Sequence, residues 1–185
     1  MDKSCILLYH GVTKSNSKGI ENCSNKHIQA KEFEKQMKWI SKNKNVVSIR
    51  NIKDEPDSVA VTFDDTFKNI YDVALPILKK YDIPATFFIS TGFIGTDKNF
   101  WVDRLEHMIN FSKQDNIEFN DTLFDISNNI NKIDSLTQIK SYLKKCNPLD
   151  RENLLENIRL QTGWVDDADV ENYKNLNIDE VKMLD

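Results

Sequence analysis

Short apolar runs alternate with amphipathic stretches in the first half of the chain. The runs have the length and the β-branched or aromatic content of buried strands, whereas the amphipathic stretches repeat apolar residues at helical spacing. The predicted strands are Cys5–Tyr9, Val46–Ile49, Val59–Phe63 and Ala85–Ser90, and the predicted helices cover residues 30–42 and 68–80. Strand–helix–strand order favours parallel pairing. The pattern therefore predicts an α/β fold.

The two predicted helices differ in their regularity. The first places Phe33, Met37 and Ile40 on one face, at positions i, i+4 and i+7. The second contains Pro76, which cannot donate a backbone hydrogen bond. We therefore expect a kink or a division into two short helices at that point.

The pattern changes in the second half. The predicted elements there are a helix Trp101–Phe111, a hairpin over residues 116–126, and three helices capped by Ser135, Asp150 and Asn177. We predict one domain in three parts. These are an α/β core over residues 1–96, a mainly helical insertion over residues 97–175, and a closing helix over residues 176–185.

Composition narrows the class of protein. The 185 residues are 39% hydrophobic and 29% charged, which is typical of a soluble globular domain. A net charge of −4 does not favour binding to nucleic acid or to a membrane surface. No signal peptide or membrane span fits the sequence, and Cys5, Cys23 and Cys146 are too unevenly spaced for a disulfide framework. These features predict a cytoplasmic protein.

Candidate chemistry lies where strand Val59–Phe63 ends, because Asp64 and Asp65 follow it directly. Parallel α/β sheets collect functional side chains at the carboxyl ends of their strands. Side chains alternate between faces, so one carboxylate can bind a metal while the other accepts a proton. Adjacent aspartates are also common in turns and helix caps. These residues alone leave both interpretations open.

A wider set of motifs resembles the polysaccharide deacetylase family, which carries a NodB-like domain. The motifs are Tyr9-His10, Thr62-Phe63-Asp64-Asp65, Pro84-Ala85-Thr86-Phe87-Phe88-Ile89, Phe100-Trp101-Val102-Asp103-Arg104-Leu105 and Asn177-Ile178-Asp179-Glu180-Val181-Lys182-Met183-Leu184. Their order carries the resemblance more than any single motif. The family fold is a distorted (β/α) barrel of about seven strands. The resemblance therefore implies the N-terminal part of such a barrel, with a mainly helical insertion.

The resemblance also implies an activity, the metal-dependent hydrolysis of acetyl groups on a carbohydrate. Asp64 would be the general base and Asp65 a ligand of a divalent metal, usually zinc, which polarises the acetyl carbonyl and the attacking water. His10 and Thr66 are candidates for contact with the substrate, and His10 is a second candidate metal ligand. The implied partner is an acetylated carbohydrate.

Two positions depart from the family pattern. Thr66 replaces the usual glycine after the aspartate pair, and Asp82 stands where the family often has glycine before the Ile-Pro step. The second position favours a positive φ, which aspartate tolerates better than most residues. Neither change removes a chemical group that the reaction needs.

The family takes further metal ligands from a His-(Ser/Thr)-x-x-His motif, and a proton-donating histidine from a later strand. This sequence contains only His10, His27 and His107, and none of them lies in an H-x-x-x-H pair. The sequence therefore predicts that the isolated chain is incomplete and inactive. An open edge of its half-barrel would favour self-association or a completing chain.

Two other functions fit parts of the sequence. A truncated, non-catalytic protein that binds a carbohydrate or another partner would have the same motifs, and a zinc titration would distinguish it from the enzyme. A phosphotransferase with an aspartate nucleophile would need an Asp-x-Asp motif. The adjacent carboxylates of Asp64 and Asp65 exclude that function.

Overall fold

Residues 4–165 and 170–184 are described by a computed structural model. Its strands are β1 (Cys5–Tyr9), β2 (Gly11–Thr13), β3 (His27–Gln29), β4 (Asn45–Val46), β5 (Ser58–Asp64), β6 (Ala85–Phe88), β7 (Asn116–Phe119) and β8 (Thr122–Asp125). Its α-helices are α1 (Ala30–Asn43), α2 (Leu75–Lys80), α3 (Trp101–Phe111), α4 (Asn129–Leu143), α5 (Pro148–Thr162) and α6 (Ile178–Lys182). The chain divides into two compact units, which among these residues are 4–16, 24–98 and 170–184 for the first, and 17–23 and 99–165 for the second. No helix within the described ranges is long and apolar enough to cross a membrane.

A parallel sheet with β5 at its centre organises the first unit, and it confirms the predicted α/β class. β1 pairs with β5 from Val59 to Phe63 along one edge, while β4 and β6 share the other edge. β5 can be central because its residues are buried from Ser58 to Phe63. The register aligns Tyr9 with Phe63, and Asp64 with Phe88. The carboxyl ends of three strands therefore meet near Asp64.

Helix α1 covers one face of this sheet. Phe33, Met37 and Ile40 are its buried residues, as the helical spacing predicts. The Phe33 ring meets the rings of Tyr9 and Phe63 edge-on, at centroid distances of 5.1 and 5.8 Å. By the alternation of side chains along a strand, the neighbouring residues of β1 and β5 face the other way.

That other face of the sheet differs from the prediction. β1 reads in the sequence as a buried strand, but Ile6 and Leu8 are 52% and 54% exposed. The prediction of full burial is wrong for this strand. The reason is that α1 covers only the face of Tyr9, and apolar content alone does not reveal how many faces of a strand are covered.

The segment after β5 divides as the proline predicts. Residues Ile70–Ala74 form a π-helical turn, and α2 begins at Leu75 with Pro76 in its first turn. Proline is tolerated there because the first turn of a helix leaves its N–H groups without helical partners. Tyr81 is the C-cap of helix α2, and the next residue, Asp82, has a φ of 53°. The positive φ expected for Asp82 is confirmed.

The second unit contains helices α3, α4 and α5 and the β7–β8 hairpin. Its core includes Leu105, Met108, Ile109, Ile117, Leu136, Ile139, Leu155 and Ile158. Helix α3 and the hairpin around Asn120-Asp121 agree with the prediction. The predicted caps of α4 and α5 are wrong, since Asn128 and Asn147 occupy those positions. Ser135 is instead buried within α4, where its hydroxyl donates to the Asp125 carbonyl at 2.7 Å.

Candidate active site

Asp64 is the last residue of β5, and its side chain is half-buried. It lies on the sheet face opposite α1, because Phe63 before it packs towards that helix. Its partner in the register, Phe88, is 51% exposed. A carboxylate at this position can therefore be reached from outside the sheet, next to an apolar surface.

His10 follows β1 directly, and its side chain is half-buried. Because Tyr9 pairs with Phe63, the next residues of the two strands, His10 and Asp64, come at the same level of the sheet. The structure thus brings together the carboxyl ends that carry these two predicted site residues. The role of His10 as a substrate contact or metal ligand stays a prediction.

Asp65 has a φ of 71°, in the left-handed region that residues other than glycine seldom adopt. This conformation turns the chain sharply at the end of β5. The Asp65 carboxylate lies 3.9 Å from the ammonium group of Lys26, and the two side chains are 21% and 18% exposed. The Lys26 ammonium also lies 5.2 Å from the centre of the Phe67 ring.

Thr66 has no exposed surface. Its hydroxyl donates to the Ser90 carbonyl at 3.1 Å, and its own carbonyl accepts a hydrogen bond from the Leu176 N–H at 2.8 Å. These bonds connect the end of β5 to two other segments of the first unit. The expected contact of Thr66 with a substrate stays a prediction, which this burial does not favour.

The backbone of this turn shows why threonine can replace the glycine that the family usually has at position 66. The positive φ of this turn falls on Asp65, and Thr66 itself has no positive φ. Threonine therefore needs no strained backbone conformation here.

His27 lies in β3 and is almost completely buried. Its ring meets the rings of Phe67 and Tyr173 edge-on, at 4.7 Å in each case. Its Nδ1 lies 3.2 Å from the amide nitrogen of Asn69. A Cβ atom on Gly11 would come within 2.1 Å of the same Nδ1, so this close approach requires glycine.

Sequence patterns could not predict that His27 is buried among aromatic rings. Strands β2 and β3 have three residues each and pair with each other in parallel. Such short strands have no measurable period. The aromatic neighbours of His27 come from distant parts of the chain.

The phenol of Tyr9 lies at the edge of the site. Its hydroxyl donates to Gln36 Oε1 at 2.6 Å, and burial raises its pKa to about 12. The phenol is therefore protonated at neutral pH. Tyr9 supports the sheet and α1 and cannot serve as a proton acceptor there.

The number of protein ligands that a divalent metal needs can be compared with the side chains present. A catalytic zinc normally takes three protein ligands. Across residues 4–165 and 170–184, no group of three His, Cys, Asp or Glu side chains is placed to hold a metal ion. The charged neighbour of Asp65 is an ammonium group. The described residues therefore do not fit a three-ligand metal centre.

Comparison with known proteins gives one family. Residues 51–138 match the family model described as polysaccharide deacetylase. This range includes Asp64, Asp65 and Thr66. It excludes His10 and Lys26, so the match covers only the part of the candidate site that follows β5.

Individual proteins are also similar to this chain. The poly-beta-1,6-N-acetyl-D-glucosamine N-deacetylase of Staphylococcus aureus is 38% identical over 118 residues, which cover 54% of this chain and 39% of that protein. IcaB from Ammonifex degensii has a solved structure with a TM-score of 0.45 and 26% identity, covering 57% of this chain and 48% of its own. The deacetylase PplD of Streptococcus pyogenes, solved with acetate, has a TM-score of 0.43 and 27% identity, covering 55% and 50%. The chain thus spans about two fifths of the curated relative.

Proposed function

We propose that this chain is a member of the polysaccharide deacetylase family, whose model matches residues 51–138, and that it supplies the Asp64–Asp65 part of a site that hydrolyses acetyl groups on a carbohydrate. The observation that carries the proposal is the placement of both carboxylates at the carboxyl end of β5, within the matched range 51–138. The relative from Staphylococcus aureus is named for a polymer of N-acetyl-glucosamine. An N-acetylated amino sugar is therefore the proposed substrate.

Asp64 is the proposed general base. The water oxygen attacks the acetyl carbonyl carbon while the Asp64 carboxylate accepts a proton from that water. The carbon–nitrogen bond then breaks, the leaving sugar nitrogen takes the proton that Asp64 accepted, and the acyl group leaves as acetic acid, which ionises to acetate. The half-buried position of Asp64, beside the exposed Phe88, suits an acetamido group with an apolar methyl.

Asp65 is the one described side chain that we assign to a divalent ion, zinc in the family. In a site with its full set of ligands, such an ion would polarise the acetyl carbonyl. No group of three His, Cys, Asp or Glu side chains among the described residues could complete such a site. The part of the reaction that we assign to this chain is therefore proton transfer by Asp64.

The test is acetate release from a β-1,6-linked N-acetylglucosamine oligomer, with and without added Zn²⁺. Asp64→Asn should lower the rate by about 100-fold or more, because it removes the base and keeps the shape of the side chain. Asp54→Asn is the matched control, since Asp54 is exposed and lies in a turn away from the strand end. Full activity in Asp64→Asn would refute the assignment.

A second candidate function is carbohydrate binding without hydrolysis. It is favoured by the lack of a three-ligand cluster among the described residues. Calorimetric titration of the same oligomer separates the two functions. Binding without acetate release, in both wild type and Asp64→Asn, would support the binding protein and exclude the hydrolase for this chain.

A further inference from the structure

Strand β6 has a free edge, which no other strand covers within residues 4–165 and 170–184. Its pairing with β5, from Ala85 to Phe88, uses the opposite edge. Alternate residues of a strand direct their backbone N–H and C=O groups to opposite edges, so half of β6 directs these groups away from β5. Within the same described ranges, β6 makes no backbone hydrogen bond except those to β5. The free edge therefore presents the donors and acceptors that a further strand needs.

A groove of about 480 Å³ lies at this edge. The consecutive residues Ala85–Phe87 all line it, although their side chains alternate between the two faces of the sheet, and β5 contributes no lining residue. The groove therefore follows the free edge of β6. Other apolar lining residues come from the segment after β4 and from α6 and its C-terminal end, and they include Ile49, Val181 and Leu184. All these segments belong to the first unit.

Arg50 gives this groove a positive charge. Its side chain is exposed and belongs to the groove lining. Its guanidinium forms no ion pair with a carboxylate in the described part of the chain. A guanidinium binds a carboxylate well, because two parallel N–H groups can donate to the two oxygens. The groove thus combines backbone groups at strand spacing, an apolar lining and a charge that favours an acidic partner.

We propose that this β6 groove binds an extended peptide segment that carries an acidic side chain. The peptide backbone adds a strand to the free edge of β6, its apolar side chains pack against Ile49 and Val181, and its carboxylate pairs with Arg50. A sugar or a lipid has no row of donors and acceptors at strand spacing, so the free edge favours a peptide. The proposal does not depend on the deacetylase site or on its activity.

The probe is the capped heptapeptide Asp-Val-Thr-Val-Thr-Val-Asp. It carries an aspartate at each end, so that either strand direction brings a carboxylate towards Arg50. Hydrogen exchange followed by mass spectrometry locates the site. Binding should slow exchange at residues 85–88 by about tenfold or more, because an added strand protects their outward N–H groups. The matched control peptide is methylated at its third and fourth backbone nitrogens, and it should bind about tenfold more weakly or less, since both of its edges lose a donor.

The charge is tested separately by fluorescence anisotropy of the labelled peptide. Arg50→Gln should weaken binding about threefold, as expected for an exposed ion pair. Lys42→Gln is the matched control, because it removes the same charge from an exposed position on α1 outside the groove, and its affinity should equal that of the wild type. A peptide with asparagine at both ends should bind the wild type and Arg50→Gln equally, since the pair is then absent in both cases.

Four results would overturn the proposal, with folding checked by circular dichroism. The methylated peptide could bind as well as the unmodified one, or no peptide could bind. Protection could fall on Cys5–Tyr9 in place of residues 85–88. Arg50→Gln could leave the affinity unchanged, which would remove the acidic partner. A stable dimer in analytical ultracentrifugation that excludes the peptide would assign the groove to a second copy of this chain.

Discussion

Asp82 is a position at which the structure predicts a gain in stability from a single substitution. It follows the last turn of α2 and has a φ of 53°. The Ile83 N–H donates to the Leu78 carbonyl at 3.0 Å, and the Asp82 N–H donates to the Lys79 carbonyl at 3.3 Å. This is the Schellman pattern of a helix end, in which glycine is the preferred residue with positive φ. Both bonds use backbone atoms, so they persist in Asp82→Gly.

The expected magnitude follows from two opposing terms. A side chain in the left-handed conformation costs about 1–2 kcal/mol, less for aspartate than for most residues. Glycine removes this cost but makes the unfolded chain more flexible, which costs about 0.5–1 kcal/mol. The Asp82 side chain is exposed, so little packing is lost. Because the cost for aspartate is at the low end of that range, we expect Asp82→Gly to raise the free energy of unfolding by about 0.5 kcal/mol.

The assay is urea unfolding followed by circular dichroism, with Asp82→Ala as the matched control. Alanine removes the same charge but keeps the Cβ atom, and it lacks the polar group with which aspartate stabilises this conformation. Asp82→Ala should therefore be less stable than wild type. If the glycine variant is no more stable than the alanine variant, the left-handed conformation does not limit the stability of this turn.

Two further substitutions test the surroundings of the site. Burial raises the pKa of Tyr9 to about 12, above its ordinary value near 10. The stability associated with the protonated phenol is therefore complete below pH 10 and is lost as the pH rises towards 12. At pH 11, about half of this window has been crossed, and partial exposure reduces the expected loss there to about 1 kcal/mol. Tyr9→Phe should lack this loss when urea unfolding is compared at pH 8 and pH 11. Thr66→Val removes the hydroxyl that donates to the Ser90 carbonyl. It should lower the free energy of unfolding by about 1–3 kcal/mol, and unchanged stability would contradict that role.

The elements that the sequence predicts well are those with a strong period or a strong local signal. Helix α1 has one apolar stripe, and its buried residues Phe33, Met37 and Ile40 agree with it. Asn177 caps α6 with both halves of a capping box, since Glu180 at the third helical position bonds back to the Asn177 N–H. In these cases the local preference and the tertiary packing favour the same structure.

The helix starts in the second unit show where local signals are insufficient. Serine, aspartate and asparagine have similar preferences for the cap position, so Ser135 and Asp150 compete with Asn128 and Asn147. Ile130, in the first turn of α4, is 79% exposed, which blurs the apolar period at that end. The start of α5 could have been found, because Asn147 precedes Pro148 and proline is favoured at the first position of a helix.

Some features of the candidate site can likewise be predicted from local sequence, and others cannot. The position of Asp64 and Asp65 follows from local sequence, because a buried parallel strand ends where the two carboxylates begin. The neighbours of Asp65 do not, since Lys26 reaches it through contacts of His27 with Phe67 that join segments far apart in the chain. Charge at a site depends on such contacts, and a motif records only one side of them. The electrostatic surroundings of Asp65 are therefore a property of the folded first unit, which the local motif does not contain.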